Sequence, residues 1–176
     1  PASDRALAAR RALVDSGLGL ALVEYVRHAG SPGNRDAADV PLAAQACRVI
    51  GLSSQHNPEC SAMYATAAAI PAVCGVLRQW LADADAARGA ALAVRELLED
   101  EEQANDVAAE AAAAGATRLL RAAMAAHPEA GDLQRNAGRA TQLLEAHGGE
   151  PSAAPHEGEP PAQAGSPSGS AGAGAS

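Results

Sequence analysis

The potentially catalytic or metal-binding residues of this chain are scattered acids, cysteines and histidines, and the most suggestive pair is His56 and Cys60. Four apart on a helix, they would share one face, as a nucleophile with its base or as half of a zinc site. Zinc takes four ligands, commonly from two such pairs, and the sequence has no second pair. Neither a G-x-S-x-G elbow, a Gly-rich phosphate loop nor an H-E-x-x-H stretch occurs. We therefore expect no catalysis, no cofactor and no metal.

The three cysteines, Cys47, Cys60 and Cys74, are an odd number and include no C-x-x-C pair. A disulfide framework is therefore not expected, and each cysteine is interpreted as a small buried apolar residue. Free thiols fit a reducing compartment. We expect the protein to be intracellular and cytoplasmic, with the nucleus as the alternative.

Charge and hydropathy exclude two further classes of partner. The formal net charge is -8, from 13 basic and 21 acidic residues, and no basic stripe occurs that would bind a phosphate backbone. No apolar run approaches the roughly 20 residues that cross a bilayer. We therefore expect neither nucleic acid nor a membrane as partner. An acidic run (Glu96 and 99–102) is interpreted as a solvated helix face, or else as a docking patch for a basic segment.

The segments that carry these residues are all predicted to be helical. Hydrophobic residues make up 48% of the chain, but only 2% of the residues are aromatic, and much of the apolar content is alanine, the strongest helix former. The apolar spacing places Leu18, Leu42 and Val49 toward the core, and Trp80 is interpreted as a core anchor. Periodicity and turn residues predict helices at 4–16, 18–29, 41–54, 58–67, 70–82, 85–102, 104–114, 116–126 and 131–147.

Three stretches of the chain resemble one another. They begin at Gly17, Ala68 and Gly115, and each follows a short Ala-rich helix and precedes a longer one. A helical unit at this period is typical of an α-solenoid. The long third helices align at Ala46, Ala91 and Ala137, at Val49, Val94 and Ala140, and at Leu52, Leu97 and Leu143. The middle unit aligns equally well when it is shifted by one residue.

These observations divide the chain into a repeat domain and a tail. The domain spans 1–149, with units at about 4–54, 58–102 and 104–148. Residues 150–176 are almost entirely Pro, Ala, Gly and Ser, and we expect this tail to be disordered. Because a helical pattern starts almost at once after Pro1, we also expect the chain to be part of a longer protein that continues the repeats.

The order of short helix, glycine, second helix, loop and long third helix resembles the armadillo repeat over about 4–148. The residues that carry the resemblance are 13–17, 68–73 and 107–116, and two-helix HEAT repeats are the nearest alternative. The resemblance implies a right-handed superhelix whose third helices line a concave groove for a peptide or partner domain. Armadillo repeats that clamp an extended peptide often place asparagine late in the third helix. Here those positions hold Leu52, Glu96 or Leu97, and Leu143, so a nuclear-import type of clamp is not expected.

The function expected from this resemblance is a non-catalytic scaffold or adaptor that binds a partner protein. The alternative is a regulatory or substrate-docking arm of a larger enzyme whose catalytic domain lies outside the chain. Polar residues of the third helices are the candidate partner-binding residues, although the simpler interpretation of any single one is a solvated helix position. They are Arg48, Gln55, Arg88, Glu96, Glu99, Arg135 and Arg139.

Overall fold

The structure, a computed structural model, describes residues 8–9 and 12–147. This part of the chain contains helices and turns and no strand, which confirms the all-α prediction; residues 12–15 are helical as well. The expected tail at 150–176 and the expected helix start at Asp4 lie outside the described residues. The helices are α1 (Leu18–Ala29), α2 (Asp39–Ser54), α3 (Pro58–Thr66), α4 (Ala69–Gln79), α5 (Ala84–Leu98), α6 (Ala104–Ala113), α7 (Ala116–Ala126) and α8 (Gly131–Ala146).

The residues that start these helices explain their positions. Gly17, Ala68 and Gly115 precede α1, α4 and α7, and all three have left-handed backbones, with φ of 72°, 54° and 73°. Glycine adopts this conformation without strain, whereas Ala68 adopts it at a steric cost. The side chain of Asn57 caps α3 by accepting a hydrogen bond from the Cys60 amide, and Asp83 caps α5 in the same way.

Two helices end earlier than the sequence predicted. α4 ends at Gln79 instead of 82, and α5 ends at Leu98 instead of 102. The acids at 99–102 therefore lie in a turn beyond α5, and the prediction that they close the helix was wrong. Trp80 follows α4, is half-buried against the core, and donates a hydrogen bond from Nε1 to the Ala29 carbonyl at 2.9 Å.

The helices pack in two rows. α2, α5 and α8 form one row, in which the α2–α5 packing is the most extensive in the described chain, and α1, α4 and α7 form the other. Small residues bring the members of a row close together. A Cβ atom on Gly89 of α5 would lie 2.4 Å from the Ala44 carbonyl oxygen of α2, and one on Gly30 would lie 2.5 Å from the Val76 amide nitrogen of α4. Only glycine permits such an approach at these two positions.

The core is continuous along both rows and consists mainly of Ala, Val and Leu. Cys47, Cys60 and Cys74 are fully buried, as predicted, and burial raises the pKa of Cys47 and of Cys74 to about 12.

Three core predictions were wrong. Leu18, Leu42 and Val49 are 53%, 56% and 39% exposed. The physical reason is that α1 and α2 stand first in their rows, so no described helix covers that side.

Within the described residues, no single helix has the length and hydropathy needed to cross a membrane. The α3–α4 pair reaches that threshold only when both helices are taken together, and they are bent by 73° at the break.

Candidate partner-binding face

The row of α2, α5 and α8 presents a polar face, called here the third-helix face, with two pockets along it. The pocket at the C-terminal ends of α2 and α5 has a volume of about 430 Å³. The pocket nearer their N-terminal ends has a volume of about 400 Å³. A third pocket, of about 410 Å³, lies elsewhere, between the end of α3 and α6, and contains none of the predicted site residues.

The pocket at the C-terminal ends of α2 and α5, called here the acidic pocket, combines carboxylates from α5 and the turn after it with one arginine of α8. Arg139 Nε lies 3.4 Å from Glu99 Oε1, an ion pair between exposed groups that joins α5 to α8. Glu101 and Glu102 are exposed on the rim, and Asp100 accepts a hydrogen bond from the Glu102 amide. The other lining residues come from the last residue of α2, the link that follows it and the first residue of α3: Ser54, His56, Asn57 and Pro58.

The pocket nearer the N-terminal ends of α2 and α5, called here the mixed pocket, contains both positively and negatively charged side chains. Arg88 of α5 pairs with Asp85 one turn earlier at 2.8 Å and with Asp132 of α8 at 3.1 Å. Hydrogen bonding to Asp85, with the charge of Asp132, raises the pKa of Arg88. Partial burial opposes ionisation of Asp132, but the Leu133 amide and the Arg88 charge outweigh it, so the pKa of Asp132 is lowered. Both groups are therefore charged at neutral pH.

Arg48 forms the α2 side of the mixed pocket and differs from Arg88. It is exposed, and its side chain makes no hydrogen bond or ion pair with any residue that the structure describes. Its guanidinium therefore keeps all five donors available to a carboxylate brought by another molecule.

The structure brings together five of the seven predicted site residues. Arg48 and Arg88 line the mixed pocket, and Glu96, Glu99 and Arg139 line the acidic pocket. Gln55 is half-buried just beyond α2, and Arg135 is exposed on the outer side of α8; neither lines a pocket.

Glu96 requires a correction, because only 3% of its side chain is exposed. Because α5 lies between α2 and α8, the Glu96 carboxylate is enclosed on both sides. It pairs with Arg95. Arg95 in turn donates to Asn136 Oδ1 of α8 at 2.5 Å. This buried group holds α5 and α8 together and is not an exposed contact for a partner.

Several residues of the face were not predicted from the sequence, although periodicity identifies some of them. Asp85 precedes Arg88 by one helical turn, and Leu92 follows it at the next, so all three lie on one side of α5. Asp132 and Asn136 are likewise one turn apart on α8. The residues from the α2–α3 segment carry no such signal, since they reach the acidic pocket only through the folded chain.

The His56–Cys60 pair does not assemble into a common site. His56 is exposed on the acidic pocket, whereas Cys60 is fully buried and receives a hydrogen bond from Asn57 Nδ2 at 3.1 Å. Across residues 8–9 and 12–147, no three histidine, cysteine or carboxylate side chains are placed to hold one metal ion.

No family model matches the chain, and comparisons with curated proteins and with solved structures gave no significant match.

Proposed function

We propose that the chain is a non-catalytic protein-interaction module that binds a segment of a partner protein along the third-helix face. In this proposal the helices form three armadillo-like layers, α1–α2, α3–α5 and α6–α8, and the row of third helices is the concave side of a short solenoid. The layers supply rigidity, so the face is presented without a large cost in conformational entropy.

The observation that carries the proposal is that both pockets of this face are lined by residues of the same three helices, α2, α5 and α8. One pocket follows the other along these helices. A segment laid along the face would meet the mixed pocket and then the acidic pocket. Pockets that run in line are what an extended segment fills, because its successive side chains need successive recesses.

The charges along the face indicate the composition of that segment. The acidic pocket offers Glu99, Glu101 and Glu102 against the single Arg139, so basic side chains are favoured there. At the other end, Arg48 favours a carboxylate. Most of the remaining arginines are already paired within the chain, so they position the face and are not the main contacts.

The proposal can be tested by selecting peptides from a random display library on the full chain. We expect enrichment of peptides in which basic residues are followed or preceded by an acid, with micromolar affinity, since exposed charges contribute little individually. The variant Glu101→Lys/Glu102→Lys should weaken the selected peptides by about tenfold or more. A matched charge change away from the face, Asp15→Lys/Glu129→Lys, should leave the affinity unchanged.

Two outcomes would count against this function. One is a selection that yields no saturable binder. The other is a set of binders whose affinity is equally insensitive to both charge-reversed variants, because their site would then lie on another surface.

A further inference from the structure

The mixed pocket contains two arginines, and only one of them is paired within the chain. Arg88 contacts Asp85 and Asp132, whereas Arg48 is exposed and has no ion pair or hydrogen bond among the residues that the structure describes. Gln45, one turn before Arg48 on α2, is exposed in the same pocket and can donate from its side-chain amide. Together these two side chains form a binding position for a carboxylate.

The two aspartates of the mixed pocket do not neutralise Arg48. Asp85 is the second residue of α5 and Asp132 is the second residue of α8. Each therefore lies at a helix N-terminus, which carries about half a positive charge. Both aspartates also contact Arg88. Because the two helix ends and Arg88 balance these carboxylates, Arg48 supplies the positive charge that remains in the pocket.

The register of α2 against α5 places Arg48 relative to the acidic pocket. A Cβ on Gly89 of α5 would lie 3.4 Å from the Cys47 Cβ of α2, and a Cβ on Gly51 of α2 would lie 3.2 Å from the Ala93 Cα of α5. Both contacts join residues at the same offset along the two helices. α2 and α5 therefore run in the same direction, and Arg48 lies level with position 90 of α5.

This register sets the distance that a bound segment must span. Glu99, which lines the acidic pocket, comes nine residues after position 90. At about 1.5 Å per helical residue, the separation is about 13.5 Å. An extended segment rises about 3.3–3.4 Å per residue, so four of its residues cover that distance. Side chains four residues apart in an extended segment also point to the same side, whereas those three or five apart point to opposite sides.

At the acidic pocket the negative charge is in excess. All four residues at 99–102 are acids, and the arginine that lines the pocket with them is Arg139. Arg139 pairs with Glu99 at 3.4 Å, and both side chains are partly exposed. An exposed pair of this kind contributes little to stability, so a basic side chain from a partner can share Glu99 at small cost.

We propose that the partner segment is extended and carries a carboxylate and a basic side chain four residues apart. The carboxylate binds Arg48 in the mixed pocket, and the basic side chain binds Glu99 and the acids after it. A helix does not fit this spacing, because four of its residues span only about 6 Å. This inference rests on the proposed function, since it specifies the segment that the third-helix face binds.

The test uses a display library in which one Asp and one Arg are fixed at separations from two to nine residues, in both orders, among randomised positions. The library is selected on the full chain. We expect sequences with a separation of four to be enriched by about fivefold or more over those with three or five, because only the former direct both charges into the face. A maximum at seven, where two residues of a helix share one side, would overturn the extended conformation, and so would equal enrichment of all separations.

The carboxylate contact has its own test, in which selected peptides with a separation of four are measured by fluorescence anisotropy. Binding to Arg48→Glu should be weaker by about fivefold or more, because repulsion replaces attraction. Replacing the Asp of the peptide by Lys should restore affinity for that variant and lower it for the unchanged chain. Arg135→Glu makes the same charge change on the outer side of α8 and should leave the affinity unchanged.

The outcomes separate this inference from the function on which it rests. Equal affinity for Arg48→Glu and the unchanged chain would overturn the carboxylate contact. If those peptides still lose affinity in Glu101→Lys/Glu102→Lys, the third-helix face binds peptides and only the spacing inference fails. If no peptide from any separation binds saturably, both fail.

Discussion

At one end of the row formed by α2, α5 and α8, α2 presents Leu42 and Val49 to solvent. At the other end, α8 presents Arg135, Gln142 and Glu145. Terminal units of helical arrays need a polar outer face to stay soluble. The α8 end meets this requirement and the α2 end does not. The contrast is that the outer side of α8 is polar, whereas the outer side of α2 is apolar and is not covered by any helix that the structure describes.

The largest effect expected from this contrast concerns two leucines at the same aligned position. Leu133 is fully buried and Leu42 is 56% exposed. Leu133→Ala should reduce the free energy of unfolding by about 2–5 kcal/mol, because it leaves a cavity, whereas Leu42→Ala should cost under about 1 kcal/mol. Urea unfolding of both variants measures the difference. Similar losses for the two would mean that the α2 side is covered in solution.

A second expectation compares two glycines. A Cβ on Gly89 would overlap the Ala44 carbonyl oxygen, while a Cβ on Gly138 of α8 would have no atom within 4 Å. Gly89→Ala should therefore destabilise the fold by about 1–3 kcal/mol through overpacking. Gly138→Ala should stabilise it by about 0.5–1 kcal/mol, since alanine is the better helix former. Thermal unfolding of both variants tests this, and a destabilising Gly138→Ala would show that the outer side of α8 is not open.

The sequence predicted most helix positions to within two or three residues, because their start signals are local. Gly17, Pro58 and Gly115 act within one turn, through a left-handed backbone or a missing amide donor. The ends of α4 and α5 were placed too late, since neither Leu81 nor the acids after Leu98 is a helix breaker. α4 and α5 end where tertiary packing and the capping of the following helix require it, and both of these depend on the folded chain.

The candidate site was less predictable than the helices. Periodicity identified Leu42 and Val49 as apolar, but it cannot tell whether a neighbouring helix exists to cover them. It also placed Glu96 on the polar face without the information that α2 and α8 enclose it. Arg88 and Arg139 line the two pockets, but Asp132 and Glu99, which pair with them, come from other segments of the chain.

The smallest expected effect concerns the ion pair that joins α5 to α8 within the mixed pocket. Asp132→Asn should cost under about 1 kcal/mol at pH 7, because the Asp132 side chain is 54% exposed and the pair is screened by solvent. The pKa of Asp132 is lowered from 3.8 in the folded chain, so its contribution is present above that pH. It is lost as the pH falls through the folded-state pKa.

The difference between Asp132→Asn and the unchanged chain should therefore shrink toward zero in acid. Urea unfolding at pH 7 and at about pH 3 measures it. A difference that persists undiminished in acid would show that the effect of the substitution does not come from the charge of Asp132.

The most direct test of the interaction function is to map a display-selected peptide on the chain by backbone amide chemical shifts. We expect the largest shifts along α2, α5 and α8, around Arg48, Arg88 and the turn at 99–102, with little change in α3, α6 or α7. Shifts concentrated on α3 and α6, with the third-helix face unchanged, would contradict it.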